Sequence, residues 1–164
     1  MTVDDFKKAP KLPFVILLDN VRSMNNIGSI FRTADSFRCE SMILCGITAT
    51  PPHREIHKTA LGAEESVEWT YEKDASASVV RLKKDGYTII GVEQVEGAIA
   101  LDRFVPEKNK KYVYVFGHEI NGISEDLLPL CDHFLEIPQS GTKHSLNVAV
   151  SAGIVCWKNY ALFL

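Results

Sequence analysis

The chain has 164 residues, of which 46% are hydrophobic and 24% charged, with a net charge of −3. This is enough for one domain with a sizeable core, too little for two, and not the composition of a disordered chain. The mildly acidic balance excludes a globally basic surface, so any RNA has to be met by a local patch.

No apolar run approaches the roughly 20 residues that span a bilayer. The start, Met1 to Lys8, has no signal-peptide core. The four cysteines, Cys39, Cys45, Cys131 and Cys156, form no Cys-x-x-Cys pair and read as reduced thiols of a cytoplasmic protein. Residues 1–12 read as a short charged N-terminal arm and 13–164 as a single domain.

In chain order, Phe14-Val-Ile-Leu-Leu18 is a short continuous apolar run, the pattern of a strand buried on both faces. Further strands are expected at Ser41–Cys45, Ser66–Tyr71, Thr88–Val92, Tyr112–Phe116 and His133–Ile137. Helices are expected at about 26–37, 75–85 and 124–131, with a long apolar helix at about 145–162. This alternation predicts an α/β fold, a largely parallel sheet covered on both faces. Ligands of such sheets bind beyond the carboxyl ends of strands, here after Leu18, Val92, Phe116 and Ile137.

Three loops at those ends carry chemistry-bearing residues. The first runs from Asp19 to Ala34. Asn25 or Asn26 suits a helix cap, Gly28 allows close approach, and Arg32 lies inside the helix. The second is Gly117-His-Glu-Ile-Asn-Gly-Ile-Ser124. Glu119 stands in a tight turn, Gly122 suits a strained turn position, and Ser124 reads as an N-cap with Glu125 and Asp126 behind it. The third is Ile137-Pro-Gln-Ser-Gly-Thr-Lys-His-Ser-Leu-Asn147, where Pro138 stops the strand and Ser145 opens a helix of small residues. Asn147, in the first turn of so apolar a helix, needs buried or ligand partners. Each loop alone also reads as an ordinary cap, turn or packed helix.

Together the loops resemble the three motifs of the SpoU (TrmH-like) family of RNA ribose methyltransferases, of the SPOUT superfamily. The first matches Asn-x-Gly-x-x-x-Arg-Thr-Ala, the second Gly-x-Glu-x-x-Gly-Ile-Ser, and the third Ile-Pro-x-x-Gly-x-x-x-Ser-Leu-Asn-Val. The order and separation also match over roughly residues 14–160. Lys58-Thr-Ala-Leu-Gly-Ala63 resembles a further family segment.

The resemblance implies a three-layer sandwich whose C-terminal part threads a trefoil knot, a rare exception among folds. It implies S-adenosylmethionine as cofactor, held at Gly117, Ile137 and Leu146 largely through backbone, with Val92, Glu93 and Gln94 nearby. It implies a homodimer, for which the C-terminal helix is the interface, and an RNA site built from both subunits. By position Arg32 is the family's catalytic residue, with Asn26, Glu119, Ser145 and Asn147 orienting it and the ribose. Arginine is a poor base because its guanidinium stays protonated, so a clamp on phosphate and on the developing alkoxide is favoured over proton abstraction. His118 and Asn121 depart from the family pattern, in which the first of these is often Asn. Substrate contacts fall on Arg22, Arg54, Lys58 and Lys143, with Lys7, Lys8 and Lys11 as further candidates, a patch whose binding is salt-sensitive.

Other readings compete. His53 and His57 stand at i and i+4, but His-Arg-Glu-Ile-His is not the His-Glu-x-x-His zinc signature and shows no third ligand, so no metal is expected. No Gly-x-Gly-x-x-Gly follows a strand, which ranks a dinucleotide oxidoreductase low. The alternative from another class is a non-catalytic RNA-binding or scaffold protein that keeps the fold. The four residues Arg32, Glu119, Ser145 and Asn147, present together, speak against it.

Overall fold

A computed structural model describes all residues 1–164. Its elements are α1 (Val3–Lys8), β1 (Leu12–Asp19), α2 (Met24–Ser36), β2 (Cys39–Cys45), α3 (Arg54–Ala60), α4 (Ala63–Ser66), β3 (Trp69–Glu72), α5 (Ala75–Lys84), β4 (Tyr87–Val92), β5 (Ile99–Ala100), β6 (Lys111–Phe116), β7 (His133–Glu136) and α6 (Val148–Tyr160). The seven strands form one wholly parallel sheet in the order β3-β2-β1-β6-β4-β7-β5.

The continuous apolar strands are explained by helices on both faces. Along β1, Phe14, Ile16 and Leu18 enter one core with Ile27, Ile30 and Phe31 of α2 and Ala152, Val155 and Cys156 of α6. Val15 and Leu17 point the other way, into a second core with Val79 and Leu82 of α5. The alternation of successive side chains across a strand thus gives two dry faces and three layers.

The crossover near the C-terminal end of the sheet is unusual. Val92 at the end of β4 and Ile99 in β5 both lie beside Leu135 of β7, one on each flank. Residues 93–98 therefore straddle the later strand, and the chain after Glu136 leaves beside that bridge. A trefoil threading requires such a straddling connection.

Several local expectations are corrected. The expected helix at 124–131 is a turn followed by a 3₁₀ segment, Leu128–Leu130, because Pro129 lies within it and has no amide to continue a helical ladder. Ser23, not Asn25 or Asn26, caps α2, its Oγ accepting from the Asn26 amide at 3.2 Å. The C-terminal helix begins at Val148, not at Ser145, because Asn147 Oδ1 accepts from the Ala149 and Val150 amides and sets the cap. The strand expected at 66–71 is displaced to 69–72 by α4, which ends at Ser66. Within residues 1–12, α1 has a capping box at Thr2 and buries Phe6 in the main core. No helix is long and apolar enough to cross a membrane.

Gly28 shows why α2 and α3 can meet as they do. A Cβ there would lie 2.1 Å from Thr59 Oγ1 and 2.3 Å from the Ile56 carbonyl oxygen. Gly28→Ala should therefore destabilise the fold by about 1–3 kcal/mol, as overpacking does. A chemical denaturation curve with unchanged midpoint would contradict this.

Candidate active site

The carboxyl ends of β4, β6 and β7 open on a cleft of about 340 Å³. Eight of the residues singled out in the sequence line it: Val92, Glu93, Gln94, Gly117, Glu119, Ile137, Ser145 and Leu146, with Asn147 as a ninth. The loop after β6 supplies its wall. Here the backbone doubles back so closely that a Cβ on Gly117 would stand 2.2 Å from Gly122 C and Ile123 N. Glycine is the residue that permits such an approach.

Side-chain hydrogen bonds tie the three motif loops together. Glu119 accepts from the backbone amides of Arg22 at 3.0 Å and Ser23 at 2.9 Å, and from Asn26 Nδ2 at 3.4 Å. Asn26 in turn accepts at Oδ1 from Asn147 Nδ2 at 3.1 Å. Asn147 thus acts twice, capping α6 through its oxygen and reaching Asn26 through its nitrogen. This accounts for a polar residue at the head of an apolar helix.

Burial raises the Glu119 carboxyl, but the amides of Ser23 and Arg22 and the Asn26 side chain outweigh it and hold the group below its ordinary value of 4.5. A carboxyl depressed in the folded state contributes stability at higher pH and loses it as pH falls through the folded value. Glu119→Gln should therefore flatten the acid limb of the stability profile below about pH 4.5. Superimposable wild-type and variant unfolding curves across that range would refute this.

Two residues outside the set of site candidates drawn from the sequence also shape the site. His118 lines the cleft, and its Nδ1 accepts from the amides of both Ile120 and Asn121 at 3.1 Å. Nδ1 thus serves as the acceptor that closes this turn. The other is Asp19, whose Oδ2 accepts from the Ser124 amide at 2.8 Å. Its position at the carboxyl end of a central strand was the available signal.

Arg32 is not among the residues around the cleft. It is exposed on α2, beside a separate hollow shared with Ser29, Thr33, Lys58, Thr59 and Gly153. Of the other basic candidates, Arg22 stands at the start of the first loop with its amide on Glu119, and Lys143 lies exposed in the third loop. Arg54 borders a further hollow with His53, His57 and Trp69. His53 Nδ1 caps α3, and His57 pairs with Glu64, so both are accounted for within the fold.

A family model, the SpoU rRNA Methylase family, matches residues 13–157. The chain belongs to this family. Among curated SpoU-type relatives, the 23S rRNA (guanosine-2′-O-)-methyltransferase RlmB of Nitrosomonas europaea is 29% identical over 160 residues, covering 97% of this chain and 60% of its own length. An uncharacterized tRNA/rRNA methyltransferase of Synechocystis is 32% identical over 158 residues, covering 93% of this chain and 39% of its own. The chain thus spans less than two thirds of either relative. The S-adenosylmethionine-bound rRNA methyltransferase of Sinorhizobium meliloti superposes with a TM-score of 0.85 at 24% identity, over 97% of this chain and 60% of that one. A structure described for 2-OH methylation of C/U34 on tRNA superposes at 0.78 and 21% identity, over 92% of this chain and 95% of that one. At these identities the two structures show that this chain shares their fold.

Proposed function

We propose that this protein transfers a methyl group from S-adenosylmethionine to a ribose 2′-oxygen of tRNA or rRNA, acting in the cytoplasm as a homodimer. The observation that carries this reading is the run of hydrogen bonds Glu119–Asn26–Asn147, which joins all three family motifs at one cleft. The residues present fit the cofactor. Bare backbone at Gly117, apolar flanks at Ile137 and Leu146 and the rim at Val92, Glu93 and Gln94 form a concave, mixed-polarity site of suitable size. When bound, S-adenosylmethionine supplies a methyl group already activated on a sulfonium.

The chain's own work is then alignment and handling of charge. Asn26, Glu119, Ser145 and Asn147 orient the ribose, and Arg32 clamps an RNA phosphate and stabilises the oxygen as its proton leaves. Arg22, Arg54, Lys58 and Lys143 give a local cationic surface in a chain of net charge −3.

A second copy resolves the separation of Arg32 from the cleft. On α6, Val150, Ile154 and Trp157 form an exposed apolar stripe, at 50%, 36% and 51% exposure. Gly153 lies beside them with nothing within 4 Å of a Cβ built on it, and it also borders the Arg32 hollow. A copy docked on this stripe borders Arg32, so one active site takes Arg32 from one copy and the cleft from the other. Trp157→Glu should yield a monomer in sedimentation that has lost methyl transfer; a variant that stays dimeric removes the α6 interface from the proposal.

The function is tested by thermal shift and by methyl transfer. At 100 times its dissociation constant the cofactor should stabilise the protein by about 2.7 kcal/mol, while NAD gives no shift. Incubation with tRNA and rRNA should yield ribose-methylated nucleosides by mass spectrometry. Absence of both signals would favour a non-catalytic RNA-binding protein on this fold.

A further inference from the structure

The loop that leaves β6 is gripped from both sides. In the sheet β6 lies between β1 and β4. Asp19 ends β1, and Glu93 directly follows β4. Their carboxylates take consecutive amides of the returning loop: Glu93 Oε2 accepts from Ile123 N at 3.0 Å and Asp19 Oδ2 from Ser124 N at 2.8 Å. Charge-assisted bonds of this kind are the stronger class. The same stretch, Gly122–Ile123, is what Gly117 packs against without room for a Cβ. Where these two amides are held therefore decides where the Gly117 wall of the cleft stands. Glu119 runs the opposite way, from this loop to the Arg22 and Ser23 amides, so the loop is also fixed to the start of α2.

We propose that Asp19 and Glu93 are positioning residues, a two-sided carboxylate latch on the Ile123 and Ser124 amides that sets the Gly117 wall for cofactor binding. This rests on the reading of the cleft as the S-adenosylmethionine site. The two carboxylates are distinguishable. Glu93 borders the cleft and is within reach of a bound molecule, whereas Asp19 is 3% exposed and absent from the cleft lining. An effect of Asp19 on cofactor affinity is therefore transmitted through the loop.

The test compares wild type with Asp19→Ala, Asp19→Asn, Glu93→Ala and Glu93→Gln. Three readouts are used: S-adenosylmethionine titration by calorimetry, hydrogen exchange at the Ile123, Ser124 and β2 amides, and RNA affinity without cofactor. Each Ala variant should weaken the cofactor by about 10- to 100-fold, the range for loss of a bond to a charged group. The Asn and Gln variants keep an acceptor oxygen and should recover most of the affinity. RNA affinity measured without cofactor, and exchange at the β2 amides, should stay at wild-type level, which a general loss of structure would not allow. Exchange at Ser124 should accelerate in Asp19→Ala, and at Ile123 in Glu93→Ala. Unchanged exchange at both amides, or unchanged cofactor affinity in Asp19→Ala, overturns the latch. If Asp19→Ala proves unstable, the Glu93 pair decides: unchanged exchange at Ile123 or unchanged cofactor affinity in Glu93→Ala overturns the latch. Failure of the wild type itself to bind S-adenosylmethionine overturns the cofactor reading instead, and the exchange data still decide whether the latch exists.

Discussion

Arg32→Ala should reduce methyl transfer by about 10²–10³-fold, the loss typical of removing one preorganised donor from a site of developing charge, while S-adenosylmethionine affinity stays close to wild type. The two halves of this expectation come from one observation. Arg32 is exposed on α2 and borders a hollow with Lys58 and Thr59, apart from the cleft at Gly117 and Leu146. Cofactor affinity and turnover should therefore separate. Arg32→Lys should rescue little, because an ammonium lacks the planar fork that grips phosphate through two parallel bonds. Radiolabelled methyl incorporation into RNA, alongside calorimetric titration of the cofactor, provides both numbers. Wild-type turnover in Arg32→Ala removes the arginine from the chemistry. Loss of cofactor affinity in the same variant places it in the wrong site.

Gly117→Ala should abolish measurable cofactor binding and lower stability as well. Its added methyl would lie 2.2 Å from Gly122 C and Ile123 N, and 2.5 Å from the Gly122 carbonyl oxygen. These are backbone atoms, so no side chain can swing aside. The loop has to move, and it is held by Asp19, Glu93 and Glu119. Overpacking of this kind costs about 1–3 kcal/mol, which in a chain of this size lowers the melting temperature by roughly 2–4 °C for each kcal/mol. Gly141→Ala is the matched control, since nothing lies within 4 Å of a Cβ there. Normal cofactor affinity in Gly117→Ala would show that this wall is not part of the binding site.

The fold and the candidate site were legible in the sequence to different depths. Runs such as Phe14–Leu18 announce doubly covered strands because both faces of each strand have to be apolar. The short α3 and α4 were not legible. They hold seven and four residues and are broken by left-handed backbone at Leu61 and Gly62, so no helical periodicity accumulates. Helices this short are stabilised by packing, here against α2, rather than by their own propensity. The start of α6 was misplaced because the capping strength of Asn147 was read as a demand for a buried partner. Asn147 is in fact exposed: its oxygen caps α6, and its nitrogen reaches the half-buried Asn26 rather than a buried group.

By itself the sequence determined the parallel α/β class and the order of the elements, because these follow from local patterning; the resemblance to the SpoU motifs, and not patterning, singled out Asn26, Arg32, Glu119, Ser145 and Asn147. Only the tertiary structure decided which motifs touch. Glu119, Asn26 and Asn147 are linked by hydrogen bonds across 93 and 121 residues of chain, and such contacts depend on β6 being inserted between β1 and β4, which no local pattern encodes. The same insertion put Asp19 and Glu93 on either side of one loop, while Arg32, exposed on α2, stands outside the cleft that its own chain provides.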